Sequence, residues 1–486
     1  MASPSTSGSE IQPPIELLTS KPDGSPNVPE NVAPIVRNNE ASKLKLRKCI
    51  LVLASFICMF TSCGLNFAFG VYQEFYESMS VSPTHNPFTN ASPAQISLVG
   101  TLGVSFMSLG APFASAWCKT YSPRTITLVG ALVFALANIL ASFGKELWHF
   151  TVTQGILVGI GTCLTYIPAV TVCPGWFTTH RGLAMGILSS GTGIGGIAWA
   201  PFLRYLNENI GFRNALRLTG AVSFPLLACS ALCLKWEPGI EQKNRAAMSS
   251  QPIRFRLLPP LIDWRVARSY KFVAQSISAA LQGAAYYAPL YFMSANARTL
   301  GYSPATGANL IALCNGTSAI SKVVLGWLAD RVGRLNILFS VTFLSAVVTL
   351  GMWLPSTIPG SHKEGQGLFI AFVVMYGITA GTYISLFPTA LVELFGVQHF
   401  ASVNGFLYLA RGIAALVGTP VAGELVRAYG GTSATLHDSK AYFSTSIFVG
   451  VLLAGASVSL AWLRTNVAVE ALTASRTENR KKIWKA

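Results

Sequence analysis

Twelve stretches of about 20 or more mostly apolar residues recur along this chain of 486 residues: 49–75, 93–117, 124–143, 147–173, 182–204, 214–235, 269–294, 304–328, 335–354, 367–391, 402–425 and 441–463. As a helix, a run of about 20 residues covers the roughly 30 Å hydrocarbon layer of a bilayer, because each residue rises about 1.5 Å. Backbone groups in lipid must pair within their own segment, which leaves the helix as the spanning element for such runs. A soluble surface is also missing: only 11% of residues are charged, against about 25% in an ordinary soluble domain. The expected fold class is all-α integral membrane, with twelve transmembrane helices in two six-helix bundles.

The division into two bundles rests on the longest internal polar segment, 236–268, which carries Lys243, Arg245, Arg254, Arg256, Arg265 and Arg268. Five regions are expected. They are a disordered cytoplasmic N-tail (1–48), a first bundle (49–235), a basic cytoplasmic linker (236–268), a second bundle (269–465) and a basic cytoplasmic C-tail (466–486). The N-tail is rich in Ser, Pro and Asn and has no cleavable signal pattern.

The formal charge of +16 would suggest nucleic acid in a soluble protein. Here its distribution matters more. With the N-terminus placed inside, 25 Lys and Arg fall on the inner side and 8 on the outer, and the remaining two, Lys322 and Arg411, lie within spans. Basic loops stay on the cytoplasmic side, so both termini are expected there, in a multi-pass protein of the plasma membrane or of a vacuolar or other internal membrane. The lipid bilayer is then the partner of these charges, and nucleic acid is not. Asn90-Ala91-Ser92 is a glycosylation sequon in the first outer loop, whereas Asn315-Gly316-Thr317 falls inside the eighth span.

The most specific motif follows the eighth span: Gly326-Trp327-Leu328-Ala329-Asp330-Arg331-Val332-Gly333-Arg334. Gly326 suits close helix approach and Gly333 a positive φ. Asp330 can sit near helix N-termini and pair with Arg331 or Arg334. Such a charged turn can hold one conformation and release it, so Gly326, Asp330, Arg331, Gly333 and Arg334 are expected to act in conformational switching. A weaker counterpart follows the second span, from Gly110 through Cys118-Lys119 to Arg124, with no Asp and no Gly-Arg ending.

This motif and the twelve-run layout resemble the major facilitator superfamily over about residues 49–465. Three segments resemble its monocarboxylate-porter-like branch, especially fungal members: Asn66 to Tyr76, Trp176-Phe177 through Gly186, and Gly418-Thr419-Pro420-Val421-Ala422-Gly423. The resemblance implies the major facilitator fold and transport of small organic acids or diverse metabolites. It departs from the animal members at Val71, where they have Lys, and at Ser318 and Lys322, where they have Asp and Arg. The animal proton-lactate scheme therefore does not transfer intact.

Two cations stand where lipid would surround them. A basic residue at the bilayer centre costs about 2.5–3.5 kcal/mol on insertion scales and persists where it meets an anion or a cavity. Arg411 and Lys322 are the expected solute contacts, with Tyr408 and Asn66 beside them, and the solute is expected to be anionic. Tyr286, Tyr287, Tyr376 and Tyr383 could also line a cavity. The competing reading pairs the cations with Glu393 or Glu424. Glu74, the most inward acid, is the candidate for proton coupling. Gly191-Thr192-Gly193-Ile194-Gly195-Gly196 fits a dinucleotide fingerprint in spelling, but no strand precedes it, so helix packing explains it better. No catalytic set, metal site, cofactor or phosphate-binding loop is legible, so an enzyme is not expected. The expected function is a secondary active transporter of a small organic acid or metabolite, working by alternating access and read as a fungal exporter of a secondary metabolite. The alternatives are an importer of a monocarboxylate or riboflavin-like solute, and a transport-dead membrane sensor.

Overall fold

The computed structural model describes residues 33–80, 82, 86–249, 264–358, 362–430 and 439–483. Among these residues the regular elements are all helices. The chain divides into Met1–Arg47 and Lys48–Ala486. The first unit holds the described start of a helix at Ala33. Apart from the first residues of the first span, everything that follows concerns the second.

The spans are α1 (Ser42–Ser80), α2 (Gln95–Leu109 and Ala111–Thr120, bent by 42°), α3 (Pro123–Ala141) and α4 (Leu147–Trp176). One helix, Arg181–Cys233, contains 53 residues. At about 1.5 Å per residue it would reach about 80 Å if straight, far beyond a bilayer. It reverses at Gly211, whose φ of 76° and ψ of 153° are not helical. Its two arms are α5 and α6. After α7 (Tyr270–Thr299), α8 (Pro304–Val332) and α9 (Arg334–Ser356), the 69-residue helix His362–Gly430 reverses in the same way at Gly396, with φ 71°. Its arms are α10 and α11. The last span is α12 (Phe443–Ile483). Only glycine takes such dihedrals without strain, which is why one residue makes each reversal. Loops expected between the fifth and sixth and between the tenth and eleventh runs are thus nearly absent.

Local chemistry sets where the other spans begin. Ser92 Oγ accepts from the Gln95 N–H at 3.3 Å, and Gln95 returns a bond to the Ser92 N–H at 2.9 Å. Ser122, Ser269 and Ser303 cap α3, α7 and α8 by accepting one backbone N–H each, without the return bond, and Pro93, Pro123 and Pro304 occupy the first helical turn. Composition alone does not mark α7 as a span, because Gln275, Ser276, Ser278, Gln282 and Ser294 dilute its apolar residues.

The spans alternate direction, so α1 starts on the same side as the turns after α2, α4, α8 and α10. We call this side the latch face. The basic linker lies partly outside the described residues; its described start, Pro238–Ser249, is helical. That segment is tied to the first half by the Trp236 indole, which donates to the Cys118 carbonyl at 3.1 Å.

Candidate functional site

The two halves meet through α5 against α8 and through α2 and α4 against α11. Small residues make the first contact possible. A Cβ on Gly182 would collide with the Gly326 carbonyl oxygen, and a Cβ on Gly326 with the Gly182 carbonyl. Backbones this close gain dispersion contacts that larger side chains would prevent.

The close approach puts the end of α8 against the start of α5. The start of α5 has no side-chain cap of its own. Asp330 supplies one from the other half: Oδ1 accepts from the Gly182 N–H at 2.8 Å and Oδ2 from the Leu183 N–H at 2.9 Å. A carboxylate there meets two unpaired N–H groups and the positive end of the helix dipole. Arg334 completes the turn by donating to Asp330 Oδ1 from Nε at 3.0 Å and Nη2 at 2.8 Å. The Asp330 side chain is 5% exposed and that of Arg334 13%. Gly333 has φ 107°, a turn geometry that excludes most other residues. Arg331 departs from the sequence expectation that it could share Asp330. Its guanidinium lies over the Trp327 ring instead, 3.9 Å from the centroid.

Two further contacts close the latch face. Lys119 Nζ donates to Ser402 Oγ at 2.8 Å, joining α2 to α11. Deeper in, the hydroxyls of Tyr166 (α4) and Tyr408 (α11) are 2.6 Å apart.

Among the described residues, Lys322 and Arg411 are the two cationic residues buried as a whole, at 2% and 4% exposure. Arg411 sits among aromatic rings. Its guanidinium carbon lies 5.4 Å from the Tyr383 ring centroid, 5.5 Å from Tyr408 and 5.7 Å from Phe387. Such faces carry negative quadrupole potential and favour a cation without neutralising it. Nη2 donates to Gln282 Oε1 on α7 at 3.0 Å, and Nε has no partner among the described residues. Lys322 donates to Thr192 Oγ1 at 2.7 Å and to the Ser189 carbonyl at 3.3 Å, both on α5. It therefore bridges the halves. The carboxylates proposed to neutralise these cations stand elsewhere. Glu424 pairs with Arg427 at 3.0 Å on an exposed surface, and Glu393 is exposed.

The remaining expected residues are not gathered at Arg411. Asn66 donates to Thr162 Oγ1 at 2.6 Å and to the Ser62 carbonyl at 3.2 Å. It lines a small pocket inside the first half with Tyr72, Asn138, Gln154 and Thr219. Glu74 is displaced from the buried position that proton coupling required. Its side chain is 69% exposed and pairs with Arg204 at 3.3 Å near the side opposite the latch. Asn90 is exposed, with φ 61°. Sequence reasoning did not find Gln282, Phe387, Tyr166 or Thr192 as neighbours of the buried cations. The seven-residue spacing of Gln275 and Gln282 in an apolar run was the one signal available.

These features make the chain a helical, multi-pass membrane protein of two packed halves, with one buried cation bridging them and another inside the second half. The sequence model described as Major Facilitator Superfamily matches residues 50–419 and again 276–485. The chain belongs to that family, whose members move small-molecule solutes across membranes. Among similar proteins is an MFS-type transporter of Gibberella moniliformis, 26% identical over 82% of this chain and 86% of its own length. An agnestins efflux protein of Paecilomyces divaricatus is 26% identical over 87% and 88%. Monocarboxylate transporter 13 of Bos taurus is 28% identical over 68% and 74%. Of solved structures, the proton:xylose symporter XylE is similar with TM-score 0.62 and 13% identity, covering 85% of this chain and 95% of that one. The human organic anion transporter MFSD10 gives TM-score 0.58 and 13% identity, covering 84% and 99%. These two likenesses concern the fold.

Proposed function

We propose that this protein is a secondary active transporter of a small organic anion, and that Arg411 holds the solute's carboxylate. The carrying observation is a buried guanidinium with a free Nε–H, ringed by aromatics and lacking a carboxylate partner. A planar guanidinium binds a carboxylate through two parallel hydrogen bonds, and burial strengthens them. Aromatic neighbours suit the apolar body of such a solute. Lys322 supplies a second positive charge between the halves, and Asp330 holds the latch face shut while the solute is bound or released on the other side. The named efflux protein among the relatives supports export of a metabolite. The charge asymmetry of the loops supports cytoplasmic termini, with the latch face inside and Asn90 outside, where it would carry a glycan.

Uptake and efflux of labelled carboxylates by cells and by proteoliposomes test this reading. Arg411→Gln should reach the membrane at wild-type abundance and lose transport of every carboxylate the wild type carries. Arg411→Lys should retain part of it, because an ammonium keeps the charge and loses the two-pronged grip. Wild-type rates in Arg411→Gln would overturn the assignment.

A further inference from the structure

Between Arg411 and the latch face, α7 and α11 carry polar side chains that the site above does not use. Gln275 lies seven residues before Gln282 on α7, and Asn404 lies seven before Arg411 on α11. Seven residues make nearly two turns, so each pair shares one helix face and is separated by about 10.5 Å along it. Both helices begin at the latch face, so both amides sit on the latch side of Arg411. The rings of Phe272 and Phe406, 5.8 Å apart, hold this stretch of α7 against α11.

Gln275 and Asn404 are fully buried, at 0% exposure. Neither the oxygen nor the nitrogen of either amide has a hydrogen-bond partner among the described residues. Many buried polar residues of the spans pair with their own helix: Asn138 Nδ2 donates to the Phe134 carbonyl at 2.9 Å, and Thr342 Oγ1 to the Leu338 carbonyl at 2.7 Å. Ser278 Oγ on α7 and both amide atoms of Asn207 on α5 are unpaired as well, but Gln275 and Asn404 lie on the two helix faces that carry Gln282 and Arg411. Leaving buried polar atoms unpaired is costly, and leucine would fill the same space without that penalty. The two amides are best explained by a partner that arrives only in another state. Tyr408 shares the α11 face of Asn404 and touches Tyr166 of the first half. Separation of the halves at that point uncovers the face.

We propose that Gln275 and Asn404 form a second solute contact, on the route between Arg411 and the latch face, for the neutral hydrogen-bonding part of an organic acid: a hydroxyl, carbonyl or amide group. The proposal rests on Arg411 as the carboxylate partner. An amide offers one acceptor and two donor hydrogens and does not compete with a guanidinium for the carboxylate. It therefore selects among acids by their uncharged substituents.

Two measurements on purified full-length protein test it. The first is modification of Gln275→Cys and Asn404→Cys by N-ethylmaleimide, read at those peptides by mass spectrometry. It should be at least about tenfold faster when Asp330→Asn loosens the latch. The second is binding of phenyllactate and 3-phenylpropionate, which differ by one hydroxyl. Gln275→Leu or Asn404→Leu should weaken phenyllactate about threefold to tenfold, the equivalent of one hydrogen bond, and leave 3-phenylpropionate unchanged. No rise in modification, or equal losses for both acids, overturns the proposal. Binding that is abolished by Arg411→Gln but indifferent to both leucine variants overturns it alone. Absence of binding of both acids, with Arg411→Gln no different from wild type, overturns the carboxylate reading and this proposal together.

Discussion

Replacing Asp330 by Asn keeps the shape of the latch and removes its charge. With the Asn carbonyl in the place of Oδ1, the bonds from Gly182 N–H and Arg334 survive as neutral-acceptor bonds. The amide nitrogen then takes the place of Oδ2 and confronts the Leu183 N–H, which loses its acceptor. An orphaned buried N–H costs about 1–3 kcal/mol, and the lost charge at a helix start about 0.3–1 kcal/mol. The weakened Arg334 pair adds to these, so the closed latch face should lose about 2–4 kcal/mol relative to the open one. That shifts the equilibrium by about thirtyfold to several hundredfold. Spin labels at Tyr121 and Gln398, exposed residues on opposite halves near the Lys119–Ser402 contact, report the separation. The exposed cysteines Cys49, Cys229 and Cys233 would first be replaced by Ala. Wild type should give one short distance population, and Asp330→Asn a second, longer one with slowed turnover and nearly unchanged solute affinity. An unaltered distance distribution with reduced affinity would refute the latch argument.

Gly326→Val should open the same face without touching any charge, because its side chain must displace the Gly182 backbone; the same label pair would then lengthen as in Asp330→Asn. Lys322→Met leaves Thr192 Oγ1 without its donor and removes one of the two buried cations. Solute affinity measured by binding should drop about tenfold, the scale of one charge-assisted hydrogen bond, and an unchanged affinity would remove Lys322 from the site. Asn90→Gln should shift the protein to the electrophoretic mobility of the enzymatically deglycosylated form. If wild-type mobility does not respond to deglycosylation, the proposed outside placement of that loop loses its support.

The spans were legible because length and hydropathy are local quantities that a bilayer reads directly. The reversals at Gly211 and Gly396 were not. Around Gly211 the polar residues Asn207, Glu208, Asn209, Arg213 and Asn214 read as a loop of ordinary length, yet all but the glycine are helical. Lys322 and Arg411 stood out by the cost of a cation in an apolar run. Their surroundings did not, since Gln282 and Arg411 meet only through the packing of α7 on α11, 129 residues apart in sequence. Asp330 was readable as a helix-terminus ligand from the turn itself, yet the identity of that terminus, α5 of the other half, needed the assembled fold. Glu74 was misplaced for a simpler reason. Position along the span says nothing of which way a side chain faces, and Glu74 lies on the exposed face of α1, where Arg204 holds it.

The two halves do not hold the latch face equally. In the second half, an anion meets the start of a helix. In the first, the matching turn after α2 ends in Lys119, which approaches α11 within two turns of its reversal at Gly396. A cation near a helix N-terminus is disfavoured by the same dipole that favours Asp330. Ser402 offsets this with a single hydroxyl oxygen, whereas Asp330 accepts from two backbone N–H groups and two guanidinium N–H groups. The α2–α11 contact must therefore lean on packing, of Gly405 against Pro112 and Ser115, while the α5–α8 contact is electrostatic and directional. A clamp with one strong arm and one weak arm releases first at the weak arm. The halves should begin to part between α2 and α11, where the Tyr166–Tyr408 contact and the polar face of α11 lie, and that separation becomes wide and lasting only once the Asp330 latch also lets go.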